Sequence, residues 1–589
     1  MLKRLAQLLS RHAAAPDRVP DASQRAAQHI EAGNAPLQGG QLAEAERCYR
    51  QALAEDPGHR LARVNLGYVL LERGQASQAL AFLEQAIALL QPQDTFLHEA
   101  RFLAGQAHAQ MGRPAQALAS YAQALEVRAT FEEPLRAGVE LLLASAQAED
   151  AVAWIDRVST RMASPAPKML RARALHAGGR LDEAIDVLQA VVQHAPEHVG
   201  ALESLGNLLL EAGRGEEAVQ AFRRLHAVGG DTPENVANLA AALVRVGRAE
   251  EAVTVGADAV ERHPQHADLR YTHGLAQLFL GRLPQAWDNY EWRWGSAAFQ
   301  RLGPPGPQHI PRWRGEPLAG RSILLCAEQG LGDSIQFLRY VPLVAAGARE
   351  VFLQLQPPLH PLLQQLPANC RLLSPGEGAP QADWQSTLLS LPAAWRTTLQ
   401  DIPGPSAIIG VDAQRREHWL ARAPRTGAPR VGLVWSGNPG QLNDRYRSIP
   451  LQELARLAKL PAQFISLQLE VRQRDREAFS RWPGLLPLGG DFRDFADTAA
   501  VIESLDLVIA VDSSVAHLAG ALERPLWLLL PFNSDWRWML DRTDSPWYPS
   551  ARLYRQAEAG NWDPVLARVE EDLRIFLPGR SPPYQQHHA

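Results

Sequence analysis

Cysteine is scarce in this chain, and the three residues it has, Cys48, Cys326 and Cys370, are scattered. They are too few and too far apart for a disulfide framework or a zinc site, and they fit a reducing compartment. No apolar run reaches the length a transmembrane helix needs, so no membrane span is expected. The opening MLKRLAQLLSRHAAAP has early basic residues, but its apolar stretch is too short and interrupted for a signal peptide. Residues 1–30 read as a frayed tail or short amphipathic helix, with Lys3, Arg4 and Arg11 available for a membrane surface. Neither sign of charge dominates: 59 basic and 64 acidic residues leave a net charge of −5. Nucleic acid is therefore not indicated as a partner. The composition is otherwise that of ordinary soluble protein, and a cytoplasmic location is expected. Tryptophan is nearly absent from the first half, since fourteen of the fifteen lie at or after Trp287. The chain changes character there, and its 589 residues allow roughly two to four domains.

The first half is filled by a repeat. Gly40, Gly74, Gly112, Gly179, Gly213, Gly247 and Gly281 are each followed five residues later by an alanine: Ala45, Ala79, Ala117, Ala184, Ala218, Ala252 and Ala286. Ala151 fits as an eighth mark whose glycine is missing. The alanine spacings are 34, 38, 34, 33, 34, 34 and 34. A steady period of this size predicts stacked helix pairs, an α-solenoid of about eight repeats over residues 31–300. The longer interval places a small insertion near Gln91–Phe96, and the copy at about 134–165 is degenerate. Gly67, Gly74, Ala79 and Ala86 fall where helices must approach closely, and Leu66, Leu70, Leu80 and Leu83 fill the seam at helical spacing. Aromatics recur nine residues after the marker glycine, at Tyr49, Tyr121, Phe222 and Tyr290. Pro57, Pro92, Pro196 and Pro264 end second helices.

These copies resemble tetratricopeptide repeats (TPR), which form a superhelix with a groove lined by first helices. In the similar superhelix of the eukaryotic O-GlcNAc transferase, asparagines just before the Leu-Gly or Leu-Ala of that helix hold an extended peptide. Asn65 and Asn238 occupy this position, and an amide that both donates and accepts suits a backbone clamp. The resemblance implies a protein acceptor bound in the groove through Asn65 and Asn238. The plain alternative is a solvated helix face.

A proline- and glycine-rich stretch at 301–320 ends the repeats. Apolar strands then alternate with helical stretches: SILLCA from Ser322, EVFLQL from Glu350, VGLVW from Val431, QFISLQ from Gln463, LDLVIAV from Leu505 and PLWLLLP from Pro525. This predicts an α/β arrangement with parallel sheets. A polar, proline-marked stretch divides it into halves at 321–410 and 431–579, joined by a linker at 411–430. Residues 580–589 read as a disordered tail.

Three strand-end loops carry candidate site residues, because ligands of such sheets bind at carboxyl ends. In AEQGLGDSIQFLRY, Gly330 and Gly332 permit a sharp turn, and Asp333 at the helix start is either an N-cap or a general base. In WSGNPGQLNDRYRSIP, Ser436, Gly437 and Asn438 offer small or amide groups, and Arg445 and Arg447 suit phosphate. Gln468 closes the strand that follows. In VDSSVAHLAGALERP, Asp512, Ser513 and Ser514 cap a helix whose free N–H groups suit an anion, with His517 one turn in. A capped helix with a packing histidine would explain the same residues.

Together these loops resemble the GT-B glycosyltransferases of the lipopolysaccharide heptosyltransferase family, which have two Rossmann-like domains. Asp333 matches that family's proposed base. Asp512, Ser513, Ser514, His517, Leu518, Ala519 and Ala521 match its D-[ST]-x-x-x-H-L-A-x-A element, which binds the donor diphosphate. Arg447 stands where the family commonly has a lysine. The whole chain is similar to bacterial TPR-plus-glycosyltransferase proteins, some linked to glycosylation of flagellin or other proteins, and DWRWMLDRTDSPWYP from Asp535 is typical of them. Trp536 and Trp538 in that run read first as packing residues. The resemblance implies an inverting transferase with a nucleotide sugar as co-substrate and no separate cofactor. No DxD-type pair stands at a suitable strand end, so no metal is expected. The rival readings are a TPR scaffold with a vestigial GT-B domain, or a transferase acting on a lipid or saccharide. The sugar, the base, the acceptor and the oligomeric state stay open.

Overall fold

The computed structural model describes residues 21–579, apart from 301–302, 304–305, 329, 406 and 441–443. Lys3, Arg4, Arg11 and the expected tail at 580–589 lie outside the described residues.

The repeat pattern builds helix pairs for two steric reasons. The seven marker glycines have φ between 69° and 79°. This left-handed conformation ends a helix and turns the chain into its partner. In the fourth copy Ala146 takes the same place at φ 56°, although its Cβ is strained there. Five residues after each turn, all eight marker alanines are fully buried. The large residue of the second helix packs on bare glycine backbone of the first. Gly33 meets Tyr49, Gly67 meets Leu83, Gly105 meets Tyr121, Gly138 meets Trp154 and Gly206 meets Phe222. A Cβ on any of these glycines would lie 2.3–2.8 Å from that side chain, so the large residue and the glycine are needed together.

The pairs begin earlier than the pattern suggested. Helix Ala22–Gln38 is capped by Asp21 and opens the first pair, so residues 22–30 are not a tail. The expected insertion is a loop at 90–96 between helices Ala76–Leu89 and Leu97–Gln110. The chain divides into two compact units after Val228. Six helix pairs lie in the first unit. The last two pairs, Pro233–Arg245 with Ala249–Arg262 and Ala267–Phe279 with Leu283–Tyr290, belong to the second, along with both sheets. The helical repeats are therefore not one compact domain over 31–300. The reason is the aromatic final helix: Trp287 is buried, donates its indole N–H to the Thr397 carbonyl at 2.8 Å and meets Trp536 edge-on at 5.8 Å.

The second unit has two wholly parallel sheets. The first contains β1 (Ser322–Cys326), β2 (Glu350–Gln354), β3 (Cys370–Leu372) and β4 (Trp384–Thr387), in the order β3-β2-β1-β4. The second contains β5 (Arg430–Val434), β6 (Gln463–Ser466), β7 (Leu485–Pro487), β8 (Leu507–Val511), β9 (Leu526–Leu530) and β10 (Ala551–Arg555). Its order is β10-β9-β8-β5-β6-β7. Both orders reverse direction at one point, between β1 and β4 and between β5 and β8. Such a reversal opens a crevice at the carboxyl ends of the strands.

The stretch expected as a linker at 411–430 is structured. Asp412 caps helix Ala413–Arg422, Trp419 is buried and donates to Asp497 at 3.0 Å, and Arg415 pairs with Asp494 at 2.6 Å. Part of the 301–320 stretch is ordered too. Gln385 of β4 donates its backbone N–H to the Pro311 carbonyl and accepts from the Trp313 N–H.

Ala146→Gly is expected to relieve the strained turn and stabilise the fourth pair by about 1 kcal/mol. Amide hydrogen exchange across Ala148–Val158 checks this, with about fivefold slower exchange as the expected outcome.

Candidate functional site

The three foreseen loops do lie at the carboxyl ends of β1, β5 and β8. Helix Leu331–Phe337 follows β1, and helix Ser514–Ala521 follows β8. The two helices pack at Gly332, where an added Cβ would sit 2.6 Å from the His517 imidazole. Gly332 is thus a site of close approach between the two halves. The strand-end groups of both sheets are brought to one place.

Asp333 is not an N-cap. Gly330 holds that position, and Asp333 lies in the first helical turn. Its carboxylate pairs with Arg537 at 2.7 Å. Burial raises the Asp333 pKa, and the opposing pull of Arg537 is the smaller effect. Arg537 is itself 7% exposed, pairs with Asp535 at 2.7 Å, donates to Gln336 Oε1 at 2.8 Å and stacks on Trp536. Sequence reasoning missed Arg537 and Asp535. The signal was the arginine between two tryptophans in DWRW. Those rings are packing residues, with Trp536 and Trp538 4% and 1% exposed.

His517 is not a cation. It is buried, its Nδ1 shares a 2.9 Å hydrogen bond with the Tyr548 hydroxyl, and its ring stacks on Trp538. Burial, with help from Arg537 and Arg339, pushes its pKa well below the usual value, so it cannot supply positive charge near neutrality. It positions the helix instead. Asp512 is 3.9 Å from His517 Nε2, and burial raises its pKa from 3.8 to about 6.

The crevice between β5 and β8 is the more informative place. Ser513 starts helix Ser514–Ala521, but its side chain makes no capping bond. Its buried Oγ has no hydrogen-bond partner among the described residues, and neither has the buried Oγ of Ser436. Arg447 lies against Gly437 and donates to the Asp512 carbonyl at 3.0 Å. Its buried Nε, 3.5 Å from Asp444 Oδ1, makes no hydrogen bond. Buried polar groups are rarely left unpaired without a reason. Three beside one switch point, with the free N–H groups of a helix start, form a cradle for an anion such as phosphate.

Other expected contacts are displaced. Both ends of the Gln468 amide are used internally: Oε1 accepts from the Ser436 N–H at 3.1 Å and Nε2 donates to the Ser436 carbonyl at 3.2 Å. Gln468 therefore holds the loop rather than facing a ligand. Asn438 is exposed and accepts from the Gly440 N–H, and Arg445 is exposed with its guanidinium over Tyr446. Ser514 is half-buried at the helix start. Asn65 is only 2% exposed, and its buried Oδ1 has no hydrogen-bond partner among the described residues. Asn238 is half-buried in helix Pro233–Arg245, in the other unit.

Residues 37–95 and 175–243 match one tetratricopeptide repeat family model, and residues 98–131 match another. The repeats are thus tetratricopeptide repeats. Protein FlbA of Caulobacter vibrioides is 27% identical over 433 residues, covering 68% of this chain and 72% of that protein. That is more of the chain than the repeats occupy. Among solved structures, the C-terminal part of a TPR protein from Cytophaga hutchinsonii has a TM-score of 0.33 at 10% identity, covering 41% of this chain and 97% of its own. A TPR protein from Parabacteroides merdae has a TM-score of 0.29 at 16% identity, covering 43% and 99%.

The raised pKa of Asp512 has a sign that can be tested. Between about pH 4 and 6 the folded chain keeps a proton that the unfolded chain releases, so this group favours folding at low pH and opposes it above about 6. Asp512→Asn is expected to be more stable than wild type at pH 7.5, by up to about 3 kcal/mol, with the gap closing by pH 4. Urea unfolding followed by tryptophan fluorescence reads the second unit, which holds fourteen of the fifteen tryptophans.

Proposed function

We propose that the second unit is a glycosyltransferase of the GT-B type, moving a sugar from a nucleotide-activated donor to a protein. The observation that carries this is the anion cradle of Ser436, Ser513 and Arg447 at the β5/β8 switch point. Two parallel sheets with their strand-end helices in contact are consistent with it, and so is the resemblance of the 512–521 element. The tetratricopeptide repeats suggest a protein-interaction scaffold, and in this reading they select the acceptor.

In the proposed reaction, the donor phosphates rest on the start of helix Ser514–Ala521, against Ser513, Ser514 and Arg447. The acceptor hydroxyl oxygen attacks the anomeric carbon, whose bond to the phosphate oxygen breaks, and the nucleotide leaves with that electron pair. The hydroxyl proton passes to Asp333. Burial makes this carboxylate a stronger base than free aspartate, while Arg537 favours its ionised form. A single displacement inverts the anomeric carbon. The scheme offsets leaving-group charge with Arg447 and the helix start, and it invokes no metal.

The alternative is a scaffold without catalysis, which the repeat matches favour by themselves. Calorimetric titration with UDP, GDP, ADP, CMP and CDP separates the two. One nucleotide is expected to bind wild type and to lose at least tenfold in affinity in Arg447→Ala and Ser513→Ala. Binding by none would leave the scaffold reading. Given a donor and an acceptor, Asp333→Asn is expected to slow transfer by about 10²–10⁴-fold. An unchanged rate would remove Asp333 from the role of base.

A further inference from the structure

Two cavities outside the crevice differ in what their charges still lack. One, of about 640 Å³, is lined by Trp292, Trp294 and Trp313 beside β4. Its rings already carry guanidinium groups, Arg270 over Trp292 and Arg312 over Trp294. The other, of about 340 Å³, is lined by Arg416, Leu420, Arg425, Glu503, Ser504 and Arg524. None of the foreseen site residues lines it. It lies at the amino ends of the strands of the second sheet, whereas the anion cradle lies at their carboxyl ends.

Strand register assembles this pocket. β5 pairs with β8 at Val431 and Leu507, and β8 pairs with β9 at Val508 and Leu526. Carried back to the strand starts, these registers bring Arg430, Asp506 and Arg524 side by side. The Asp506 N–H donates to the Arg430 carbonyl at 2.9 Å, and the Val508 N–H donates to the Pro525 carbonyl at 2.9 Å. Arg425 arrives from the segment that leads into β5, and Arg416 from helix Ala413–Arg422.

The charges do not balance. Glu503 is engaged by Arg416 at 2.7 Å, and Asp506 Oδ2 accepts the Arg430 backbone N–H at 2.8 Å. Arg425, Arg430 and Arg524 are left facing Asp506 alone. Arg430 is 1% exposed, yet its Nε and Nη2 have no hydrogen-bond partner among the described residues. Its Nη1 reaches the Ser504 carbonyl at 3.5 Å, so its charge sits against the wall of the pocket. Burial lowers its pKa, the Arg425 charge lowers it further, and Asp506 opposes both. Arg524 has a buried Nε that is likewise unpaired among the described residues. Arg425 is exposed, and no ion pair joins it to a carboxylate among the described residues. A buried guanidinium without acceptors is costly, and a bound anion would offset its charge.

We propose that this pocket binds a small phosphate-bearing molecule, a phosphate ester or a diphosphate, at a second anion site separate from the crevice. The guanidinium forks of Arg425 and Arg524 hold phosphate oxygens, Arg430 adds charge from behind Ser504, and Leu420 offers an apolar contact. The volume is near the lower end of the roughly 300–1,000 Å³ of ligand pockets, which suits a small ligand. The inference does not depend on the transferase reading.

The test titrates pyrophosphate into the full-length chain by calorimetry and follows amide hydrogen exchange in the same samples. Wild type is expected to bind, with protection at residues 423–430, 503–507 and 522–526. The double variant Arg425→Ala, Arg524→Ala is expected to lose this protection and at least tenfold in affinity at this site. The double variant Arg447→Ala, Ser513→Ala, altered in the crevice, is expected to keep both. Unchanged affinity and protection in the first variant overturn the proposal, as does protection confined to the crevice loops. Loss in the first variant alone would leave this pocket standing and count against the anion cradle. Loss in the second alone would do the reverse. Vesicles of phosphatidylcholine and phosphatidic acid test the other source of a phosphate group. Capture by vesicles that needs Arg425 and Arg524, without binding of pyrophosphate, would overturn a small-molecule ligand in favour of a lipid headgroup.

Discussion

The second unit depends on one buried guanidinium. Arg537 comes from the segment after β9, yet it holds Asp333 and Gln336, which follow β1 of the other sheet. A buried arginine is tolerable only when its donors are met, and here two carboxylates, an amide oxygen and an indole face meet them. The ion pair fixes the strand-end helices of the two sheets against each other, and the bare backbone of Gly332 lets His517 come close. Removing this arginine would leave two half-buried carboxylates without their shared cation.

A second arginine does the same work nearer the repeats. Arg293 is fully buried, with Glu291 and Glu328 as ion partners and Thr387 and Ser390 as acceptors. It anchors the turn after the last repeat helix to the ends of β1 and β4. That explains why the last two helix pairs belong to the same unit as the sheets. It also places a tryptophan-lined cavity beside an edge strand, where nothing in the strand pattern called for one.

The repeats follow a different economy, in which each close contact is steric. Glycine against a large side chain sets the helix separation within a pair, and a left-handed residue sets the turn. Ala146 shows that the turn survives loss of its glycine, because the packing of Gly138 on Trp154 still holds the pair. The same seam takes up Asn65. A polar residue two places before a packed glycine is buried with it.

Much of this was legible in the sequence, for physical reasons. Each repeat is a local unit, so its period, its glycine turns and its buried alanines are written in neighbouring residues. Strands buried on both faces, such as β1, β5, β8 and β9, read as unbroken apolar runs. The edge strands β3, β4, β7 and β10 did not, because β3 and β7 have three residues each and β4 and β10 carry polar residues among the apolar ones. The loops carrying Asp333, Ser436 and Ser513 could be placed, since strand ends are where chains of this class present their groups. What those groups meet was decided only by tertiary structure. Arg537 reaches Asp333 across some two hundred residues, His517 loses its charge to burial between Trp538 and Tyr548, and the Gln468 amide turns inward to a loop. Local sequence sets backbone geometry, but burial and long-range charge pairing depend on which distant segments arrive, and those are set by the packed fold.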